Sequence, residues 1–232
     1  MPGPDASKTD RIIGEIGRRI VQGEYLPDTP LPTEADLCGQ FQTSRNLIRE
    51  ALRVLAAKRL VVTRRFRSVA VAAQSQWNYL DRDVLRWALT SGTTPGLIDA
   101  MTEVRNLVEP AAARWAAARA TSADLAKMEA ALNQMKAHNQ QCDAFGKADL
   151  QFHDAVLGAV HNPVLQQLGS VLGALQQVVF SQTYMGDVEN MPRTLREHQN
   201  LYEAIRHQHI ADAEAAALTL IASATARLKD AP

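Results

Sequence analysis

Cysteine is scarce in this 232-residue chain: Cys38 and Cys142 are the only two, and they fall in what read as different domains. That excludes a disulfide framework and a zinc knuckle. No apolar run approaches membrane-spanning length and no secretory signal pattern is present, so the cytoplasm is the expected compartment. Internal repeats and low-complexity tracts are missing, alanine richness aside. Strand-like alternation is missing beyond residue 76, which leaves helix as the reading for most of the chain. Net charge is also missing, with 25 basic against 25 acidic side chains. That zero conceals a split. Residues 1–75 carry 12 basic and 8 acidic side chains, net +4, whereas residues 76–232 carry 13 and 17, net −4. A basic head on an acidic body places a nucleic-acid footprint at the N-terminus.

What is present there is a patterned run from residue 30 to residue 62. Thr33 precedes Glu34 and Asp36, an N-cap followed by acidic first-turn residues, and Leu37 and Phe41 give a short apolar face. Ser44 is placed to cap a second helix whose apolar residues Leu47, Ile48, Ala51, Leu52 and Leu55 keep helical spacing. Arg45, Arg49 and Arg53 recur every four residues on another face, where guanidinium groups can lie against phosphates and guanine edges. Residues 61–63 and 69–71 read as two short strands, with Arg64, Arg65 and Arg67 between them as a basic hairpin tip. Between residues 43 and 67 there are eight Lys or Arg and one acid, Glu50. A solvated charged face is the plain reading of such a run, but here it coincides with two helices joined by a tight turn and a basic hairpin. The pattern is that of a winged helix-turn-helix, and it predicts DNA binding. An amphipathic helix over 9–22, with Ile12, Ile13, Ile16 and Ile20 inward, closes this small core.

Leu31-Pro-Thr-Glu34, Ser44-Arg-x-x-Ile48-Arg-Glu-Ala-Leu52 and the following wing resemble the DNA-binding domain of GntR-type bacterial transcription regulators. The resemblance implies that Ser44, Arg45, Asn46 and Arg49 contact operator DNA and that the wing tip, with Arg65 and Arg67, enters the minor groove. Two departures stand out: Ala35 where the family often has arginine, and Ser68 where it usually has a wing glycine able to take positive φ.

The expected organisation is a winged head over 1–73, a linker over 74–79 and an all-helical body over 80–232. Helices are predicted near 80–91, 95–119, 122–139, 142–160, 163–184, 192–208 and 212–228, punctuated by Pro95, Asn162-Pro163 and Met191-Pro192. Pro110 falls inside the second of these, where a kink is expected. In this body Asp149 and His153 lie four apart on a face that also carries Phe145, Phe152 and Val156. His198 interrupts the stripe of Leu195, Tyr202 and Ile205. A single histidine on an apolar stripe is more often a hydrogen-bonded core residue than a ligand. Buried charge is costly unless paired or bound to metal, and a carboxylate with two imidazoles suits zinc, nickel or manganese. Arg105 reads either as an ion-pair partner of Glu109 or as a fork for an effector carboxylate.

Glu103-Val-Arg-Asn-Leu-Val-Glu-Pro110, Asp149-x-x-x-His153, His161-Asn-Pro-Val-Leu165 and Glu197-His198 make the body similar to the FCD effector domain of the FadR subfamily. That resemblance implies an antiparallel mostly α bundle that dimerises and encloses one cavity with a metal site at Asp149, His153 and His198. It also supports Arg105 as the effector's carboxylate fork, with Asp149, His153, His198 and Ser223 for hydroxyls; Tyr184, Thr194 and Arg227 are lesser candidates for pocket lining, since each lies near the end of a helix that should border the cavity. The family's metal-binding members supply one more histidine from the last helix, where this chain has Ser223. Two alternatives follow: a metal with three protein ligands and open positions, or no metal, with the polar cluster bonding a polyhydroxy ligand directly. Ser44-Arg-Asn-Leu-Ile-Arg-Glu50, Trp77-Asn-Tyr-Leu-Asp81 and Met185-Gly-Asp-x-x-Asn-Met-Pro192 are similar to sugar-acid-responsive members of the family and imply a six-carbon aldonic acid, D-galactonate. The expected protein is a homodimeric repressor of a palindromic operator, released by its effector. An activator, a metal-dependent hydrolase built on the three-residue cluster, and a DNA-binding scaffold with an empty bundle are the competing readings.

Overall fold

The computed structural model describes residues 7–64, 68–92, 94, 96–183 and 190–230. They form two compact units, 1–95 and 96–232.

In the first unit, α1 (Lys8–Val21) begins with a capping box between Ser7 and Asp10 and buries Ile12, Ile13, Ile16 and Ile20. Thr33 and Asp36 form a second capping box at the start of α2 (Glu34–Phe41). That helix ends at Gln42 with φ 46°, which makes the tight turn into α3 (Arg45–Ala57). α3 buries Ile48, Ala51, Leu52 and Leu55 against α1 and α2. β1 (Val61–Thr63) and β2 (Val69–Val71) pair antiparallel with Val61 opposite Val71. Arg64 N–H donates to the Ser68 carbonyl at 2.7 Å as the hairpin narrows toward its tip. Residues 65–67 lie outside the described residues.

The first unit reaches further than the expected head. Residues 74–76 form a 3-10 turn, and the Trp77 indole N–H donates to the Ala72 carbonyl at 3.1 Å. α4 (Arg82–Ser91) then packs on α1, so this helix groups with the head and not with the body to which the sequence reading assigned it. Two contacts explain this. Gly17 leaves room for the Trp87 ring, which would lie 2.2 Å from any Cβ added there. The Lys58 ammonium donates to Asp81 at 2.8 Å and to Asp83 at 3.0 Å. Partial burial alone would lower the Lys58 pKa, but these two carboxylates outweigh it and raise it.

The second unit consists of α5 (Leu97–Arg119), α6 (Ser122–Ala137), α7 (Cys142–Ala159), α8 (Pro163–Thr183), α9 (Met191–Arg206) and α10 (Ile210–Asp230). α5 continues through Pro110 as one helix. The missing N–H there deprives the Asn106 carbonyl of its helical donor, and Asn106 is exposed. Alanines 113, 116 and 117 let α5 come close to its neighbours, around a core that includes Met128, Met135, Phe145 and Phe152. Each such large side chain stabilises the fold by about 1.5–3 kcal/mol through burial. Asp124 caps α6 and also meets the His161 ring at 2.9 Å. The Thr121 hydroxyl, with His161, holds this carboxyl below the ordinary carboxylate range. Among the described residues no helix is long and apolar enough to cross a membrane.

Candidate functional site

Two separate sites emerge, one in each unit. In the first, Ser44, Arg45, Asn46 and Arg49 are all exposed at the start of α3. Ser44 takes the N-cap position but makes no side-chain cap bond, so the expected capping role is not the one its hydroxyl plays. Arg49 is held from α2, its Nε donating to the two Glu34 carboxylate oxygens at 2.9 and 3.1 Å. The burial of Ile48, Leu52 and Leu55 turns this arginine face outward, as a helix reading DNA requires. Arg65 and Arg67 lie outside the described residues.

In the second unit the fold brings Asp149 and His153 of α7 together with His198 of α9. One ligand atom from each lies within 4.8 Å of the others. His198 Nε2 is 2.8 Å from Asp149 Oδ1 and 3.3 Å from His153 Nε2. His198 Nδ1 is 2.7 Å from the Thr194 carbonyl. A carbonyl only accepts, so Nδ1 carries the proton, and in the neutral ring Nε2 presents a lone pair to the cluster. Either a proton on Nε2 or a cation between ring and carboxylate satisfies this contact. A carboxylate with two imidazoles whose ligand atoms converge is also a donor set that suits a divalent metal, with the Thr194 carbonyl orienting one ring. Phe152 packs edge-on against both rings, with centroids 5.9 Å from His153 and 5.0 Å from His198.

The electrostatics of this cluster are coupled. Burial would raise the Asp149 carboxyl, but His198, His153 and Arg105 together outweigh it and hold the carboxyl low. Burial is the main cause that lowers His153, and His198 and Arg105 push the same way against Asp149 and Glu109. A neutral His153 is the form a metal requires.

Arg105 is buried and makes the ion pair that its spacing to Glu109 allowed, with Nε to Oε1 at 2.6 Å and Nη2 to Oε2 at 3.3 Å. Glu109 and His153 border a cavity of about 20 Å³ whose other walls include Leu172, Gln176 and Leu220, room for roughly one water. Ser223 is also buried, but its hydroxyl donates to Glu197 Oε1 at 2.8 Å and accepts from Arg193 Nη2 at 3.3 Å. Thr194 is buried, Arg227 is partly buried one turn beyond Ser223, and Tyr184 lies outside the described residues. Sequence reading missed Glu197 and Arg193 as site residues. Their spacing of four on one helix was a visible signal, but the α10 partner was not.

Comparison with known proteins agrees with this two-part arrangement. The model for bacterial regulatory proteins of the gntR family matches residues 8–71, and the FCD domain model matches residues 100–223. The galactonate operon transcriptional repressor of Escherichia coli (strain K12) is 59% identical over 224 residues, covering 97% of this chain and 98% of that protein. The HTH-type transcriptional regulator YieP of the same strain is 31% identical, covering 72% of this chain and 74% of its own length. Among solved structures, Lar, described as controlling expression of the Listeria monocytogenes agr system, aligns with a TM-score of 0.69 at 18% identity over 99% of this chain and 100% of that one. E. coli McbR/YncC aligns with a TM-score of 0.57 at 15% identity, covering 97% and 98%. At such identities these two structures speak to the fold alone.

Proposed function

The chain belongs to the gntR family of bacterial regulatory proteins and is a transcription regulator with an FCD domain; on that premise we propose that it represses a sugar-acid catabolic operon and that D-galactonate releases it from its operator. The near full-length similarity to the galactonate operon repressor supports that effector. The observation that carries the reading is the convergence of Asp149, His153 and His198 in the second unit, beside a buried arginine. That is a site for an anionic, oxygen-rich ligand.

Each residue has a place in this mechanism. Ser44, Arg45, Asn46 and Arg49, with Arg65 and Arg67 from the wing, hold the operator in the cytoplasm, where the DNA is. Asp149, His153 and His198 hold a divalent metal, zinc by its ligand preference. When bound, it offers open coordination positions to carboxylate or hydroxyl oxygens. Glu109 accepts from two of the three guanidinium nitrogens of Arg105, and the remaining N–H donors can take the effector carboxylate. Thr194 on α9 and Ser223 and Arg227 on α10 supply the other contacts together with Tyr184. The cavity of about 20 Å³ bordered by Glu109 and His153 is smaller than a six-carbon acid, and we propose that the effector widens it by displacing the bundle wall. A ligand that stabilises only the opened bundle shifts a two-state equilibrium, and a complete shift takes about 5.5 kcal/mol of differential binding.

The regulator acts as a homodimer on a palindromic operator. Val104, Leu107 and Trp115 form an exposed apolar row on α5, and Leu107 is 77% exposed. In a second copy of the chain such a row finds its own complement.

The test is fluorescence anisotropy on the chain's own upstream DNA, titrated with D-galactonate and with D-gluconate. Release by D-galactonate at two chains per duplex is the expected outcome. Operator binding that ignores every sugar acid would remove the effector assignment.

A further inference from the structure

The Arg193–Glu197–Ser223 group belongs neither to the metal cluster nor to the Arg105 pair. Glu197 is only 8% exposed and Ser223 only 7%. Both hydrogen bonds to the Glu197 carboxylate reach the same oxygen: Arg193 Nε donates to Oε1 at 2.9 Å and the Ser223 hydroxyl donates to it at 2.8 Å. Oε2 is buried and meets no hydrogen-bond donor among the described residues. Leaving a buried carboxylate oxygen unsatisfied is costly, and a purely structural position would be filled by a residue without that oxygen.

We infer that Glu197 is an effector-binding residue, its Oε2 accepting a hydroxyl of the acid while Arg193 and Ser223 hold Oε1. This inference rests on the effector reading above and extends it to the hydroxyl end of the ligand. The partner chemistry follows from charge and position. Arg193 already balances the carboxylate, so a neutral donor fits Oε2 better than an ammonium group. Glu197 is also absent from the gathered ligand atoms of Asp149, His153 and His198, so it is no metal ligand in this arrangement. Yet it directly precedes His198 on α9, and its partner Ser223 lies on α10. The acceptor is therefore built where α9, the helix that carries His198, packs against α10. A simple carboxylate has nothing to give this oxygen; a sugar acid has several hydroxyls.

The experiment uses the full chain on operator DNA with D-galactonate as titrant, comparing wild type with Glu197→Gln. The substitution keeps the size of the side chain and an acceptor for Arg193 and Ser223. The half-release concentration is expected to rise roughly tenfold or more, the loss of one charge-assisted hydrogen bond. Operator affinity, zinc content and unfolding midpoint should remain those of wild type. An unchanged half-release concentration in a folded Glu197→Gln protein overturns the inference and leaves the effector reading standing. A wild-type protein that ignores D-galactonate overturns both. Should Glu197→Gln fail to fold, Glu197→Asp carries the test, since it keeps the charge but withdraws the second oxygen by one methylene. A severalfold weaker response supports the inference, and a wild-type response overturns it.

Discussion

Arg105 makes a structural ion pair and is also the proposed carboxylate anchor, and a single substitution cannot separate the two. Its guanidinium neutralises Glu109 inside the bundle and lies close enough to Asp149 and His153 to influence both. Arg105→Ala leaves Glu109 buried without its cation, which typically costs about 3–5 kcal/mol. Urea unfolding should register that loss. Replacing both partners, Arg105→Gln with Glu109→Gln, removes the unpaired charge and should recover most of the stability. The double variant should still bind operator but no longer respond to D-galactonate. Normal induction in that variant would exclude the arginine as carboxylate anchor. Glu34 plays a comparable part in the head, where it holds Arg49 by two carboxylate contacts, but both side chains are exposed and the pair contributes little to stability.

Helices supply the surfaces on which these side chains become useful. The position of α4 depends on Gly17, because a methyl group there would overlap the Trp87 ring. Gly17→Ala is a gain in helix propensity of about 1 kcal/mol, and overpacking of about 1–3 kcal/mol opposes it. The overlap is with a rigid ring on a neighbouring helix, so packing should win. Thermal unfolding is expected to show a net destabilisation of roughly 1–2 kcal/mol, accompanied by an increase in Trp87 exposure to a fluorescence quencher. A stabilised Gly17→Ala protein would mean that α4 sits elsewhere in solution. In the second unit, α7 places Asp149 and His153 one turn apart, and His198 of α9 is held by the Thr194 carbonyl one turn before it, so the cluster rests on the two helices that carry it. The hydrogen bond from His198 to the Thr194 carbonyl is a feature of α9 itself, formed between residues i and i+4.

As a whole the molecule combines a DNA-reading unit and an effector-reading unit, each with its own core. Modularity makes a definite prediction. Arg49→Ala should weaken specific operator binding by about 1–3 kcal/mol, the worth of one good base contact, and leave D-galactonate binding by calorimetry unaltered. Loss of both activities in a folded variant would contradict independent units. The sign of regulation depends on where the operator lies, but similarity over nearly the full length to a repressor favours release over recruitment.

The winged head, the helical body and most element boundaries were legible in the sequence because they rest on local physics: caps such as Thr33 with Asp36, apolar spacing along α3, and prolines that start or stop helices. Asp149, His153 and His198 were legible as candidates for the same reason, each being a polar group on a stripe otherwise apolar. Their convergence followed from the family resemblance and not from any local pattern, since α7 and α9 are separated by α8 in the chain and only packing brings their faces together. The attachment of α4 to the head had no local signal either; it depends on a glycine in α1 fitting a tryptophan ring in α4. Likewise, Ser223 could be placed on a helix by counting, but not paired with Glu197. The sequence by itself determined which residues are polar, which face inward and where helices begin. The tertiary structure alone decided which of the buried polar groups satisfy one another and which oxygen is left without a donor, because a buried group's chemistry depends on partners distant in the chain.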